Sequence, residues 1–212
     1  MIHVIGDSHI CSFNGYDTFG CERLPDPNDK MKHFRTYNLS PMQAYQLGLT
    51  GCPTTKTFFD ILNKIPIEET ILIVLGEIDC RTLILRKVLS EYYTYEEAVE
   101  IHIDLMLKGL KRIKHPFVIW APTPILYKQQ SKIFCYGELN ECHEATIIFN
   151  RMMKERIDFP QINISDIMFR ENLIKPENYL GSDFCHLKGE FARNLAKDQF
   201  IDLLNIDPTE RK

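Results

Sequence analysis

The chain has 212 residues, 44% of them hydrophobic and 25% charged, enough to bury one substantial core as a single domain spanning residues 1–212. A formal net charge of -4, with Lys and Arg scattered along the chain, excludes the basic footprint of a nucleic-acid binder, and no apolar run approaches the roughly 20 residues that span a bilayer. The first residues lack a signal-peptide pattern, and the seven cysteines are widely spaced without a CxxC pair, so a cytoplasmic protein with free thiols is expected.

In chain order, the apolar run "IHVIG" (2–6) predicts the first strand and "HFRTYNL" (33–39) a short second one. Ser40-Pro41 reads as an N-cap followed by Pro at the first helical position, with Gly48 where that helix should stop. "TILIVLG" (70–76) is the most apolar strand signal. Residues 94–114 predict a helix with acids in the first turn, bases in the last, and Ile101, Leu105 and Ile113 on a helical period. "FVIWAP" (117–122) predicts the fourth strand, with Phe117 and Trp120 as core, and "INISDIM" (162–168) the fifth. Long helices are expected over 141–157 and 188–204, and loop-like excursions over 14–32 and 123–137. Strands of buried type alternating with helices predict the α/β class, a mostly parallel five-stranded sheet between helical layers.

Ligand sites in open parallel sheets form beyond the carboxyl ends of the strands. The polar clusters that follow strands are Gly6-Asp7-Ser8-His9, Ser40, and Gly76-Glu77-Ile78-Asp79-Cys80-Arg81. Near the C-terminus, Asp183 and His186 stand three apart ahead of a helix. That spacing lets the carboxylate reach one ring nitrogen of the imidazole and leaves the other free as a base. Ser8 is the matching nucleophile candidate, because Gly6 permits a tight turn that exposes its hydroxyl and a helix starting there aims its amide at a developing negative charge.

Gly6-Asp7-Ser8, the block beginning at Gly76 and Asp183-Phe184-Cys185-His186 together resemble, in order and position, the SGNH (GDSL-type) hydrolases, over residues 2 to about 204. The resemblance implies a flavodoxin-like three-layer sandwich, esterase or acyl-transfer activity, Ser8 as nucleophile, His186 as base and Asp183 as its orienter. It also implies an oxyanion hole built from the Ser8 amide and an amide after the second strand, assigned here to Ser40 with Gly48 as the fallback. The usual Gly-x-Asn-Asp block reads Gly76-Glu77-Ile78-Asp79 in this chain, so Ile78 replaces an Asn donor. Its loss can cost roughly 2.7 to 4 kcal/mol in the transition state, unless Arg81 or another group compensates. "GEIDCR" is similar to a variant block of SGNH-like proteins associated with carbohydrate modification, which points to an O-acetylated sugar as substrate.

Asp79 and Arg81 read as a structural pair, capping a helix or tying the third strand end to a neighbour, Glu77 as either a substrate contact or a solvated carboxylate, His9 as either a pocket residue or packing on the first helix, and Cys185 as a small filler beneath its turn. No cofactor and no metal are expected; Cys135, Cys142 and His143 lack the paired spacing of a zinc site. The expected partner is a small-molecule or glycan substrate, with no nucleic acid and no membrane. Two other classes stay open: a catalytically faded carbohydrate-binding relative, and a metallophosphoesterase starting at Asp7-x-His9, for which the chain lacks the Gly-Asn-His and His-x-His runs that complete a two-metal ligand set.

Overall fold

The computed structural model describes residues 1–15, 30–126, 135–180 and 184–212. Five strands form one sheet: β1 (Ile2–Gly6), β2 (Phe34–Asn38), β3 (Thr70–Val74), β4 (Phe117–Trp120) and β5 (Gln161–Ile162). All neighbours are parallel and the order is β2-β1-β3-β4-β5. The chain moves outward from β1 to β2 and then crosses back to β3 on the other side. The β1/β3 boundary is therefore the point where the winding reverses, which is where open sheets of this order hold ligands.

Both faces of the sheet are covered, as the apolar strands require. Ile5, Ile71, Ile73 and Ile119 face helices α1 (Pro53–Leu62), α3 (Tyr95–Leu110) and α4 (Leu139–Arg156), meeting Phe58, Ile103, Met106 and Phe149. The alternate residues Val4, Leu72, Val74, Val118 and Trp120 face the other way, toward Phe13, Met168 of α5 (Ser165–Arg170), Ala192 of α6 (Gly189–Leu195) and Phe200 of α7 (Lys197–Leu204). The result is a three-layer α/β/α sandwich with an all-parallel five-stranded sheet.

Several elements depart from the sequence reading. The expected helix over 40–48 is a 3-10 helix from Ala44 to Gly48, because the buried Asp79 carboxylate accepts the amides of Ala44 and Tyr45 and fixes the start there. The buried stripe of α3 is Val99, Ile103, Met106 and Leu110, whereas Ile101, Leu105 and Ile113 are half-buried. Thr94 caps that helix, its hydroxyl accepting the Glu97 amide while the Glu97 carboxylate accepts the Thr94 amide. The fifth strand keeps only two residues, and "SDIM" opens α5, with Asn163 Oδ1 accepting the Ser165 amide. Residues 188–204 form two helices joined at Ala196. Glu77 is followed by a π-helical stretch, Asp79–Ile84, that runs into α2 (Leu85–Glu91), an element the apolar pattern did not reveal. The excursions 14–32 and 123–137 lie largely outside the described residues. Among those described, no helix is long and apolar enough to cross a membrane, and the six cysteines are free thiols.

Candidate active site

The site is built where β1 and β3 end side by side. Gly6 is required there by close approach: a Cβ at this position would stand 1.9 Å from the Val74 carbonyl oxygen. The chain then turns at Asp7, whose amide donates to that same carbonyl and whose Oδ1 accepts the His9 amide at 2.9 Å. Asp7 is thus the N-cap of a 3-10 helix, Ser8–Phe13. Ser8 occupies its first position, half-buried, and its amide has no partner among the described residues.

His186 arrives from the far end of the chain. Phe184 adopts φ 52°, the left-handed region, and its carbonyl accepts the Leu126 amide at 2.6 Å. The next residues run antiparallel to 178–180, with the Leu180 amide donating to the His186 carbonyl at 2.7 Å. From α6, the Arg193 guanidinium donates to the Ser12 carbonyl and ties the His186 segment to the helix that begins at Ser8. These contacts bring His186 Nε2 to 2.7 Å from Ser8 Oγ. The expected orienter, Asp183, lies outside the described residues.

Beneath this pair is a buried row of ionisable groups. The His9 ring lies 4.4 Å from the His186 ring, centroid to centroid, at 31°. His9 Nε2 is 3.2 Å from Glu77 Oε2 and 3.6 Å from Cys185 Sγ. Glu77 Oε1 forms a close ion pair with Arg81 Nε at 2.7 Å. Glu77 is only 4% exposed, and burial alone would raise its pKa. The Arg81 charge and the His9 hydrogen bond outweigh that and hold it at about 2. Asp7 goes the other way: burial and the Glu77 charge push it up to about 8. One carboxylate is thereby kept ionised and its neighbour kept protonated near neutral pH. Asp7, His9, Glu77, Trp120 and Thr123 line a small cavity of about 10 Å³ between them.

Several expectations are corrected here. Glu77 is neither solvated nor at the surface; it is the buried partner of His9 and Arg81. Asp79 and Arg81 are not paired with each other. Asp79 accepts the Ala44 amide at 2.7 Å, the Tyr45 amide at 3.3 Å and a bond from His102 Nδ1 at 2.7 Å, so it ties the end of β3 to the segment after β2 and to α3. The Ser40 amide donates to Asn38 Oδ1 at 2.9 Å and is spent there rather than aimed at an oxyanion. Gly48 is a packing glycine: a Cβ would stand 2.1 Å from the Leu105 carbonyl oxygen of α3. Gly76 lies at the turn after β3 with φ 110°. Ile78, in the position of the usual Asn, is 7% exposed. His9 lines the cavity and packs at a tilt against the His186 ring. Cys185 is buried against His9. Sequence reasoning missed His102, although a lone His among Val99, Ile103 and Met106 on the buried face of α3 was the available signal. His143 bonds the Ile125 carbonyl at 2.8 Å, away from any ligand cluster.

Neither the models of known protein families nor the curated proteins give a match to this sequence. Solved structures do share its fold. A putative GDSL-like lipase from Parabacteroides merdae superposes with a TM-score of 0.52 at 17% identity, over 95% of this chain and 93% of that one. An aryl esterase from M. smegmatis gives 0.54 at 13% identity, over 96% and 99%. An acetyl xylan esterase gives 0.51 at 17% identity, over 96% and 100%. With the strand order 2-1-3-4-5, the two helical layers and these superpositions, the chain has the fold of the SGNH (GDSL-type) hydrolases.

Proposed function

We propose that the protein is a serine esterase or acyltransferase acting on a small acyl ester, most specifically an O-acetyl group on a carbohydrate. The observation that carries the reading is the 2.7 Å contact between Ser8 Oγ and His186 Nε2 at the winding reversal of the sheet. In this reading Ser8 Oγ attacks the acyl carbon while its proton passes to His186 Nε2. The Ser8 amide, unpartnered among the described residues at the start of its helix, donates to the oxyanion. His186 then returns the proton to the departing alcohol, leaving an acyl group on Ser8 Oγ. Water, or a sugar hydroxyl in an acyltransferase, attacks that ester next and frees Ser8.

Asp183 is assigned the second ring nitrogen of His186 by its place in the Asp-x-x-His motif. The Glu77 carboxylate, kept ionised beside Arg81 and His9, attracts the positive charge that His186 gains during attack. The preference for a sugar ester is supported by the GEIDCR block and by the acetyl xylan esterase among the neighbours of the fold. With Ile78 lacking a donor and the Ser40 amide engaged by Asn38, the oxyanion hole is sparse, and turnover of generic aryl esters is expected to be slow.

A fluorophosphonate probe tests the reading. It should label the wild type at one site, labelling should vanish in Ser8→Ala with an unchanged melting temperature, and Asp183→Asn should slow it. Labelling that survives Ser8→Ala, or a metal-dependent phosphatase activity, would overturn it.

A further inference from the structure

The nucleophile and base described above need neither the imidazole of His9 nor the thiol of Cys185, yet both are held against His186. One ring nitrogen of each histidine and Cys185 Sγ all lie within 4.8 Å of one another, and all three residues are buried. The edge from His9 Nε2 to Cys185 Sγ measures 3.6 Å. A tetrahedral zinc centre, with metal–nitrogen bonds of about 2.0 Å and metal–sulfur bonds of about 2.3 Å, separates its N and S ligands by about 3.5 Å. That edge already has the length one shared ion requires.

We propose that His9, Cys185 and His186 form a site for a single thiophilic divalent cation of the Zn²⁺ class, and that its occupancy withdraws His186 from Ser8 and switches the enzyme off. Two imidazoles and a thiolate favour zinc over magnesium or calcium, which take oxygen ligands. Three protein ligands leave a fourth position, and Ser8 Oγ, on a half-buried residue, stands 2.7 Å from His186 Nε2. Glu77 Oε2, 3.2 Å from His9 Nε2, places an anionic oxygen beside the cluster. It favours a cation there, and because it bonds the nitrogen that would take the metal, its hydrogen bond to His9 gives way on binding.

Binding balances without any change of oxidation state. The Cys185 S–H bond breaks and its proton leaves to solvent, the His9 proton moves from Nε2 to Nδ1, the freed sulfur and nitrogen lone pairs bond the metal with that of His186, and the cation sheds water molecules in exchange for the three ligands. The inhibitory half of the proposal rests on the serine-hydrolase reading; the binding half does not.

Co²⁺ serves as the spectroscopic probe, titrated into full-length protein stripped with a chelator. One equivalent should give a thiolate-to-cobalt charge-transfer band in the near ultraviolet and the strong visible bands of tetrahedral cobalt. Loss of one ligand should weaken binding at least about tenfold, so Cys185→Ser should lose the charge-transfer band and His9→Gln should bind at least that much more weakly. Cys52→Ser, far from the site, should behave as wild type. In parallel, Zn²⁺ should reduce fluorophosphonate labelling in proportion to occupancy, with full recovery on chelation.

No tetrahedral one-to-one spectrum, or one that persists in folded Cys185→Ser and His9→Gln, overturns the site. Full occupancy with undiminished labelling overturns the switch. Metal-free protein that never labels defeats the hydrolase reading instead, and the cobalt spectrum still decides the site.

Discussion

Asp79 Oδ1 and His102 Nδ1 lie 2.7 Å apart in the interior, with Asp79 fully buried and His102 3% exposed, 23 residues apart in the chain. The same carboxylate holds the amides of Ala44 and Tyr45, so one side chain joins the end of β3, the segment after β2 and helix α3. Removing it strands three donors at once, those of buried Ala44 and His102 and that of half-buried Tyr45. Asp79→Ala should cost about 3 kcal/mol or more and lower Tm by roughly 6 °C or more for a chain of this length. Calorimetry measures the loss, and Ser8 should still label with fluorophosphonate well below the new Tm. A variant that stays stable but loses labelling would make Asp79 a site residue rather than a structural one.

Glu77 gives a kinetic prediction. Its charge favours the protonated form of His186, so neutralising it should lower the His186 pKa and leave Arg81 without its anionic partner. In chelated Glu77→Gln, the acid limb of kcat against pH should therefore move to lower pH, while kcat on the plateau falls because the developing imidazolium loses its counter-charge. Stopped-flow ester hydrolysis across the acid range checks both effects. An acid limb that moves to higher pH would refute the electrostatic role.

Asp7 gives a thermodynamic one. Its folded pKa of about 8 lies above the ordinary carboxyl value of about 3.9. Between those values the unfolded chain has lost this proton and the folded protein still binds it, so stability falls as pH rises through that window, by at most ~1.4 kcal/mol per pH unit. Glu77, held at about 2, acts oppositely and loses its contribution as pH falls from about 4.5 toward 2. Urea unfolding at pH 5 and pH 8 should show the wild type weaker at the higher value. Asp7→Asn, which keeps an acceptor for the His9 amide, should flatten that difference; an unchanged slope would assign it to another group.

The third block offers a gain-of-function test. If Ile78 costs the site an oxyanion donor, Ile78→Asn should raise kcat on an aryl acetate by about tenfold or more and change KM little, since such a donor acts mainly in the transition state. Arg81→Ala should do damage through Glu77, its close partner, rather than through the oxyanion. Steady-state kinetics on folded variants separates the two. A wild type that is already fast, with a flat response to Ile78→Asn, would place the hole elsewhere.

Much of this architecture is legible in the sequence because strands buried on both faces must be continuously apolar. Four of the five strands fall within their predicted runs, and Ser8 and His186 are marked by short polar motifs at element ends. What pattern reading loses is anything decided by a distant partner. The helix after β2 starts at Ala44 where Asp79 takes its amides, beside the local Gln43–Gln46 cap, and the Ser40 amide is taken by Asn38 two residues back. Arg81, four residues on, was the one local clue to the place of Glu77; the rest of its environment comes from His9, 68 residues away, and from burial. The fifth strand was overextended because "INISDIM" alternates as a strand does, while Asn163 turns it into a helix start.

The bond between Ser8 and His186 spans 178 residues. Closing it requires β1 to be paired on both edges and α6 to be docked on the helix beginning at Ser8, so no part of the chain lacking either segment can assemble the pair. Covalent labelling at Ser8 is therefore a readout of complete folding: during refolding its recovery should trail secondary structure and coincide with the last tertiary signal, and a nascent chain should stay chemically inert until the His186 segment has emerged and docked.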